Sequence, residues 1–174
     1  MAGTTLPKPG DKENSAFDPT SAAILALDLG TRTGFALRGT DGAIASGTMT
    51  FRPGRFEGAG MTFVRFRGWL AEMHAGADGI GMVAFEEVRA HAGTLAAQVY
   101  GGFLAHLTAW CEQHGVPYQG VPVATIKRHA TGKGNAGKEA VIAAMTAKGH
   151  APADDNEADA LAILHWALAQ GGGR

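Results

Sequence analysis

The chain has 174 residues, 45% of them hydrophobic and 18% charged, with 15 Lys and Arg against 16 Asp and Glu for a formal net charge of -1. That length and composition suit one ordinary domain with one core, and no apolar run reaches the roughly 20 residues of a bilayer-spanning helix. The near-neutral balance excludes the simplest kind of nucleic-acid-binding chain, a strongly basic one, although local basic clusters remain.

Met1 to Thr20 is polar, carries Pro7 and Pro9 with mixed charges, and has no apolar h-region, so a disordered arm is expected there and not a secretory signal. The expected organisation is a tail over 1–21, a single domain over 22–170 and a flexible end over 171–174. One cysteine, Cys111, forms no internal disulfide and no cysteine-rich zinc site, which fits a reducing cytosol.

Ala23 to Leu29 is a short apolar run that ends on an acid and Gly30, the pattern of a buried central strand. Gly34 to Arg38 and Ala43 to Thr50 follow as two more strands around an Asp41-Gly42 turn, giving a three-stranded antiparallel meander. Gly60 to His74 spaces Met61, Val64, Trp69, Leu70 and Met73 as one face of a helix. Met82 to Glu86 is a second apolar strand that finishes on acids. Thr94 to His114 is a long helix closed by Gly115 and Pro117. Tyr118 to Val121 is a short last strand, Val123 to His129 one or two helical turns, and Thr131 to Gly137 a glycine-rich loop. Helices then run from Lys138 to Lys148 and from the acidic stretch Asp154-Asp155-Asn156-Glu157 onward. The order predicts an α/β fold: a five-stranded mixed sheet, three strands antiparallel and then two parallel, with helices on both faces.

Two core strands each end in an acid, Asp28 and Glu86. A buried carboxylate is costly unless paired or bound to a cation. Asp28 either caps its turn through the backbone amides of Gly30 and Thr31 or ligates metal. Glu87 points to the opposite face from Glu86, so only one of the two joins Asp28. In the last helix Asp154 and Glu157 have the spacing of a capping box, and first-turn acids favour the helix dipole. Asp159 lies one turn further, among Ala158, Ala160 and Leu161, where capping does not explain it. Asp155 or Asn156 shares its face. Carboxylates converging on oxygen-liganded divalent ions are what two-metal phosphoryl transfer needs.

Lys127 and Lys138 would be the cations that neutralise a phosphate or transition-state charge; otherwise they are ordinary solvated lysines. The seven histidines show no His-x-x-x-His spacing, so no zinc site is expected, and Trp69, Trp110 and Trp166 read as core. The polar loop Arg89 to Gly93, directly after Glu86, is a candidate DNA contact.

Taken together, Leu25 to Leu37 (LALDLGTRTGFAL), Val83 to Val88 (VAFEEV), Ala124 to Val141 (ATIKRHATGKGNAGKEAV) and Asp154 to Leu164 (DDNEADALAIL) resemble the RuvC-like Holliday junction resolvases of the RNase H-like superfamily. The resemblance covers Ala22 to Gln170 and implies a homodimer that nicks opposing strands of a four-way DNA junction, using two Mg²⁺ ions with Mn²⁺ as a substitute. A phage or prophage type would suit the small size, and the place of action would be the bacterial cytosol, or the host cytosol for a phage enzyme. It implies Asp28, Glu86 and Asp159 as metal ligands and Lys127 and Lys138 beside the scissile phosphate. Such enzymes usually carry an acid or histidine where this chain has Asn156, so Asp155 is the expected fourth ligand and Asn156 the alternative. Arg32, Arg89, Lys127, Arg128, Lys133 and Lys138 are the expected DNA contacts, Arg89 standing where the family often has an aromatic residue. The rival readings are a general branched-DNA or flap nuclease, a catalytically inactive DNA-binding module, and an actin-like nucleotide-binding domain suggested by Asp28 to Gly34. An actin-like protein would need a second such domain and a second phosphate loop.

Overall fold

A computed structural model of the chain describes residues 22–88 and 93–171. The expected tail over 1–21, Arg89 with its loop neighbours 90–92, and residues 172–174 lie outside the described residues. Five strands, β1 (Ala23–Asp28), β2 (Arg32–Arg38), β3 (Ile44–Thr50), β4 (Ile80–Glu87) and β5 (Tyr118–Pro122), form one sheet in the order β3-β2-β1-β4-β5. β1 to β3 pair antiparallel, and β4 and β5 join parallel to β1 and to each other. This is the expected mixed sheet, and it puts β1, the most apolar strand, at its centre.

Helices α1 (Met61–Gly76) and α2 (Thr94–His114) cover one face; α3 (Val123–Thr131), α4 (Lys138–Ala147) and α5 (Asp155–Gly171) cover the other. Strand alternation divides the core accordingly. Leu25, Leu27, Val83 and Phe85 pack with Phe51, Phe66, Trp69, Phe103 and Trp110, while Ile24, Ala26 and Ala84 pack with α5 and its neighbours. All three tryptophans are buried, as expected. The apolar stripe of α1 differs from the expected one. Thr62, Phe66, Trp69 and Leu70 are its buried residues, whereas Val64 is 59% exposed, because the helix is rotated to bring Phe66 against Phe51 and Phe103.

α5 lies closer to the sheet than ordinary side chains allow. Ala158, Ala160 and Ala162 are fully buried under it. At Gly34 a Cβ atom would fall 1.9 Å from the carbonyl oxygen of Asn156, so the missing side chain is what admits the first turn of the helix. Gly34 is the β2 residue paired with Asp28, which places that turn directly beside the end of β1. No helix of the described residues is long and apolar enough to cross a membrane.

Candidate active site

Because β1 and β4 are parallel, with Leu27 beside Phe85, Asp28 and Glu86 are the next residues in step at the same end of the sheet. Leu27 and Phe85 belong to the α1–α2 face, so Asp28 and Glu86 turn to the α5 face. Glu87 goes the other way: a Cβ at Gly120 on neighbouring β5 would meet both Glu87 Cβ and the ring of Phe85. The choice of Glu86 over Glu87 thus follows from the pleat. The Gly30 amide after β1 donates to Thr33 Oγ1 at 3.4 Å, and Thr33 Oγ1 donates to the Gly30 carbonyl at 2.6 Å, so Thr33 braces the turn.

α5 brings Asp159 and Asp155 over this pair, and its start is tied down firmly. Asp154 accepts the Glu157 amide at 3.0 Å, the Thr48 hydroxyl at 2.7 Å and Arg32 Nη2 at 2.6 Å. Glu157, only 8% exposed, accepts the Ser46 hydroxyl at 2.7 Å and the Ala153 amide at 2.8 Å. The expected capping box is present in modified form, since Glu157 reaches back to Ala153 and not to Asp154. Both caps also fasten the helix to β3. Ser46 and Thr48, which hold it there, carried no signal in the sequence beyond being polar residues in a strand.

The electrostatics identify the strained group. The Asp28 carboxyl is pushed up to about 9, first by burial and then by the charges of Glu86 and Asp159, a hydrogen bond with Glu86, and the charge of Asp155. Asp159 is pushed up to about 6 by burial and by Glu86 and Asp155, against the opposing charges of Lys127 and Lys138. Asp155 is held below the usual carboxylate range, chiefly by its hydrogen bond from Lys138, whose own affinity for its proton rises in return. The two ends of the cluster therefore differ: Asp28 is an acid short of positive charge, and Asp155 is a carboxylate already paired.

Among the described residues, no three His, Cys, Asp or Glu side chains close around one point as a finished metal cage. Asp28 is engaged with Glu86, and Asp155 with Lys138. The donor chemistry nevertheless fits hard divalent cations. The cluster is made of carboxylate oxygens, and burial together with three neighbouring carboxylates leaves its innermost member, Asp28, short of the positive charge that a cation would supply. Asn156 meets β2 through its backbone, its carbonyl lying against Gly34.

The expected cations divide into two groups. Lys127, half-buried on α3, and Lys138, exposed at the first turn of α4, both act on Asp159. Arg128 and Lys133 are exposed near them, with Arg128 Nη2 against Gly134 of the glycine-rich loop. Arg32, by contrast, is bound to Asp154 in an ion pair at 2.6 Å and works here as a clamp on α5. Tyr100 of α2 is a neighbour of the site that no spacing rule picks out. Its hydroxyl donates to the Glu86 carbonyl at 2.7 Å and accepts the Val88 amide at 3.3 Å, closing the end of β4 around Glu86.

Two solved structures of Thermus thermophilus RuvC are similar to this chain. One is in complex with a Holliday junction substrate, with 24% identity and a TM-score of 0.73 over 87% of this chain and 96% of that one. The other has 25% identity and a TM-score of 0.67 over 86% and 96%. The yeast mitochondrial Holliday junction resolvase matches at 12% identity and a TM-score of 0.61 over 91% and 82%. No protein-family model and no curated protein sequence matches. The five-stranded mixed sheet with its two helical layers is thus the RuvC-like form of the RNase H-like fold.

Proposed function

We propose that this chain is a divalent-metal-dependent endonuclease that resolves four-way DNA junctions by paired nicks, acting as a homodimer in the cytosol. The observation that carries the reading is the facing set Asp28, Glu86 and Asp159, two strand ends and a helix turn, on a RuvC-like fold with Lys127 and Lys138 beside it. Its ligands would be Asp28, Glu86 and Asp159, with Asp155 as the fourth. Asp155 is favoured over Asn156 because it supplies a charge, which acts on Asp28, whereas an Asn side chain supplies none. When bound, two Mg²⁺ ions, or Mn²⁺ in their place, would acidify the attacking water and stabilise the leaving oxygen.

The chain's own groups do the rest. Asp28 would hold the ions as a carboxylate, their charge offsetting the cost of ionising it in a buried site. Lys138 leaves Asp155 for the phosphate, so the ion pair is a placeholder that frees a cation and an anion together. Lys127, beside Asp159, meets charge that develops at phosphorus. Arg128 and Lys133 extend this basic edge along the duplex, and Arg89 is kept as a DNA contact on its place in the sequence, three residues after Glu86.

The test is cleavage of a labelled synthetic four-way junction, with linear duplex and flap controls, in Mg²⁺ and in EDTA. Symmetric Mg²⁺-dependent nicks across the junction, lost in Asp28→Asn while junction binding persists, are the expected result. Equal cutting of flaps would reduce the activity to that of a general branched-DNA nuclease. Binding without cutting in any divalent ion would make it an inactive DNA-binding module.

A further inference from the structure

The segment between β3 and α1 is built to hold one exposed tip. Phe51 is buried among Phe66, Trp69 and Phe103, and its amide donates to the Thr31 carbonyl at 3.1 Å, anchoring the segment to the turn that follows Asp28. Residues 54–57 then make a β-turn, with the Glu57 amide on the Gly54 carbonyl at 3.1 Å. Glu57 closes it a second time by accepting the Gly54 amide at 2.5 Å. Arg65 of α1 locks it from below, donating to Glu57 Oε1 at 2.7 Å and to the Arg52 carbonyl at 2.9 Å. The two central residues of this braced turn are Arg55 and Phe56. Phe56 is 94% exposed, and the Arg55 guanidinium lies 5.4 Å from its ring centroid.

An ordered turn that buries neither of its central side chains is a presenting device. Its place in the fold indicates what it presents to. Thr50 ends β3 opposite Arg32, and Gly34 of the same strand pairs with Asp28, so the turn leaves the sheet at the end that carries the acids. Its chemistry indicates the same partner. Arg52 and Arg55 are exposed and have no carboxylate partner among the described residues, while the neighbours Pro53, Gly54, Glu57 and Gly58 are small or polar and exposed. An exposed aromatic ring beside guanidinium groups that no carboxylate neutralises suits a base and its phosphates. A protein interface would call for a contiguous apolar core.

We propose that the Arg55–Phe56 tip is a base-stacking contact, with the Phe56 ring taking an unpaired DNA base beside the branch and Arg52 and Arg55 taking the flanking phosphates. This rests on the reading of the chain as a junction nuclease. The test uses four-way junctions carrying 2-aminopurine at successive positions around the branch, titrated in EDTA with wild type, Phe56→Ala and Phe56→Trp. Wild type should change the fluorescence at one position. Phe56→Ala should lose that change and bind roughly 5- to 150-fold more weakly, the range of one base–aromatic stack, while Phe56→Trp should restore both. Thermal melting should be the same in all three, because the ring buries nothing in the fold. Junction cutting by wild type, with Phe56→Ala equal to it in binding and fluorescence, would overturn this inference alone. A wild type that binds no junction would overturn both readings. A loss of dimer mass in Phe56→Ala by sedimentation would overturn this one by assigning the ring to a second copy of the chain.

Discussion

At the scale of single residues, the site depends on groups that do no chemistry. Gly34→Ala drives a methyl group into the backbone of Asn156, and neither side of that contact is a flexible side chain. Overpacking of this kind costs about 1–3 kcal/mol. It should appear in a urea unfolding curve together with a loss of cleavage well beyond tenfold, because the turn that moves carries Asp155 and leads to Asp159. Tyr100→Phe removes one hydroxyl and with it both bonds that close β4 around Glu86. The stability loss should be about 1–3 kcal/mol. If the hydroxyl positions Glu86, kcat should fall with KM for junction DNA unchanged; a rise in KM alone would place its effect on binding. Neither residue could be singled out from the chain alone. Gly34 gains its meaning from the strand register opposite Asp28, and Tyr100 from the packing of α2, fourteen residues beyond Glu86, against the end of β4.

At the scale of elements, α4 and α5 carry Lys138 on one side of the site and Asp155 and Asp159 on the other, so their mutual seating matters. α4 ends with Gly149 at φ +92°, the Gly149 amide on the Thr146 carbonyl at 3.0 Å and the His150 amide on the Met145 carbonyl at 3.1 Å. These two bonds make a Schellman closure. It delivers His150 to α5, where its Nε2 lies 2.7 Å from Nε2 of His165, one nitrogen donating and the other accepting. Burial, His150, Lys148 and His129 together push His165 down to about 4. A lowered histidine leaves the unfolded chain binding more protons, so its stabilising contribution is complete above about 6.5 and is lost as pH falls toward 4. Wild type should lose stability over that window, and His165→Leu should flatten the slope, as read from melting temperature against pH. The pair was hidden in the sequence because fifteen residues and a helix reversal separate its members. The elements themselves were legible: Asp28 and Glu86 each follow an apolar run, and the limits of α2 were marked by Thr94 and by Gly115 with Pro117. The face of α1 was misread at Val64, since several apolar residues competed for one stripe and only Phe51 and Phe103 decide between them.

At the scale of the whole molecule, the sheet delivers acids from strands far apart in sequence to one end, and the fold bears the cost of their crowding. The spacing of acids at strand ends made the cluster visible in the sequence; the protonated state of Asp28 was not, since it depends on burial and on three other carboxylates. Asp28 raised from 3.8 to about 9 means that the folded chain binds a proton the unfolded chain does not. The stability tied to that proton is complete below about 4 and is lost as pH rises through about 9. Divalent ions should therefore raise the melting temperature more at pH 9 than at pH 6, and Asp28→Asn should remove the alkaline loss along with the metal effect. The most direct single measurement is calorimetric titration of Mn²⁺ at pH 8 in two buffers of different ionisation enthalpy. Wild type should bind the ion with release of about one proton, and Asp28→Asn with none. Tight binding with no proton release in wild type, or equal release from both proteins, would contradict Asp28 as the proton-holding ligand at the centre of the site.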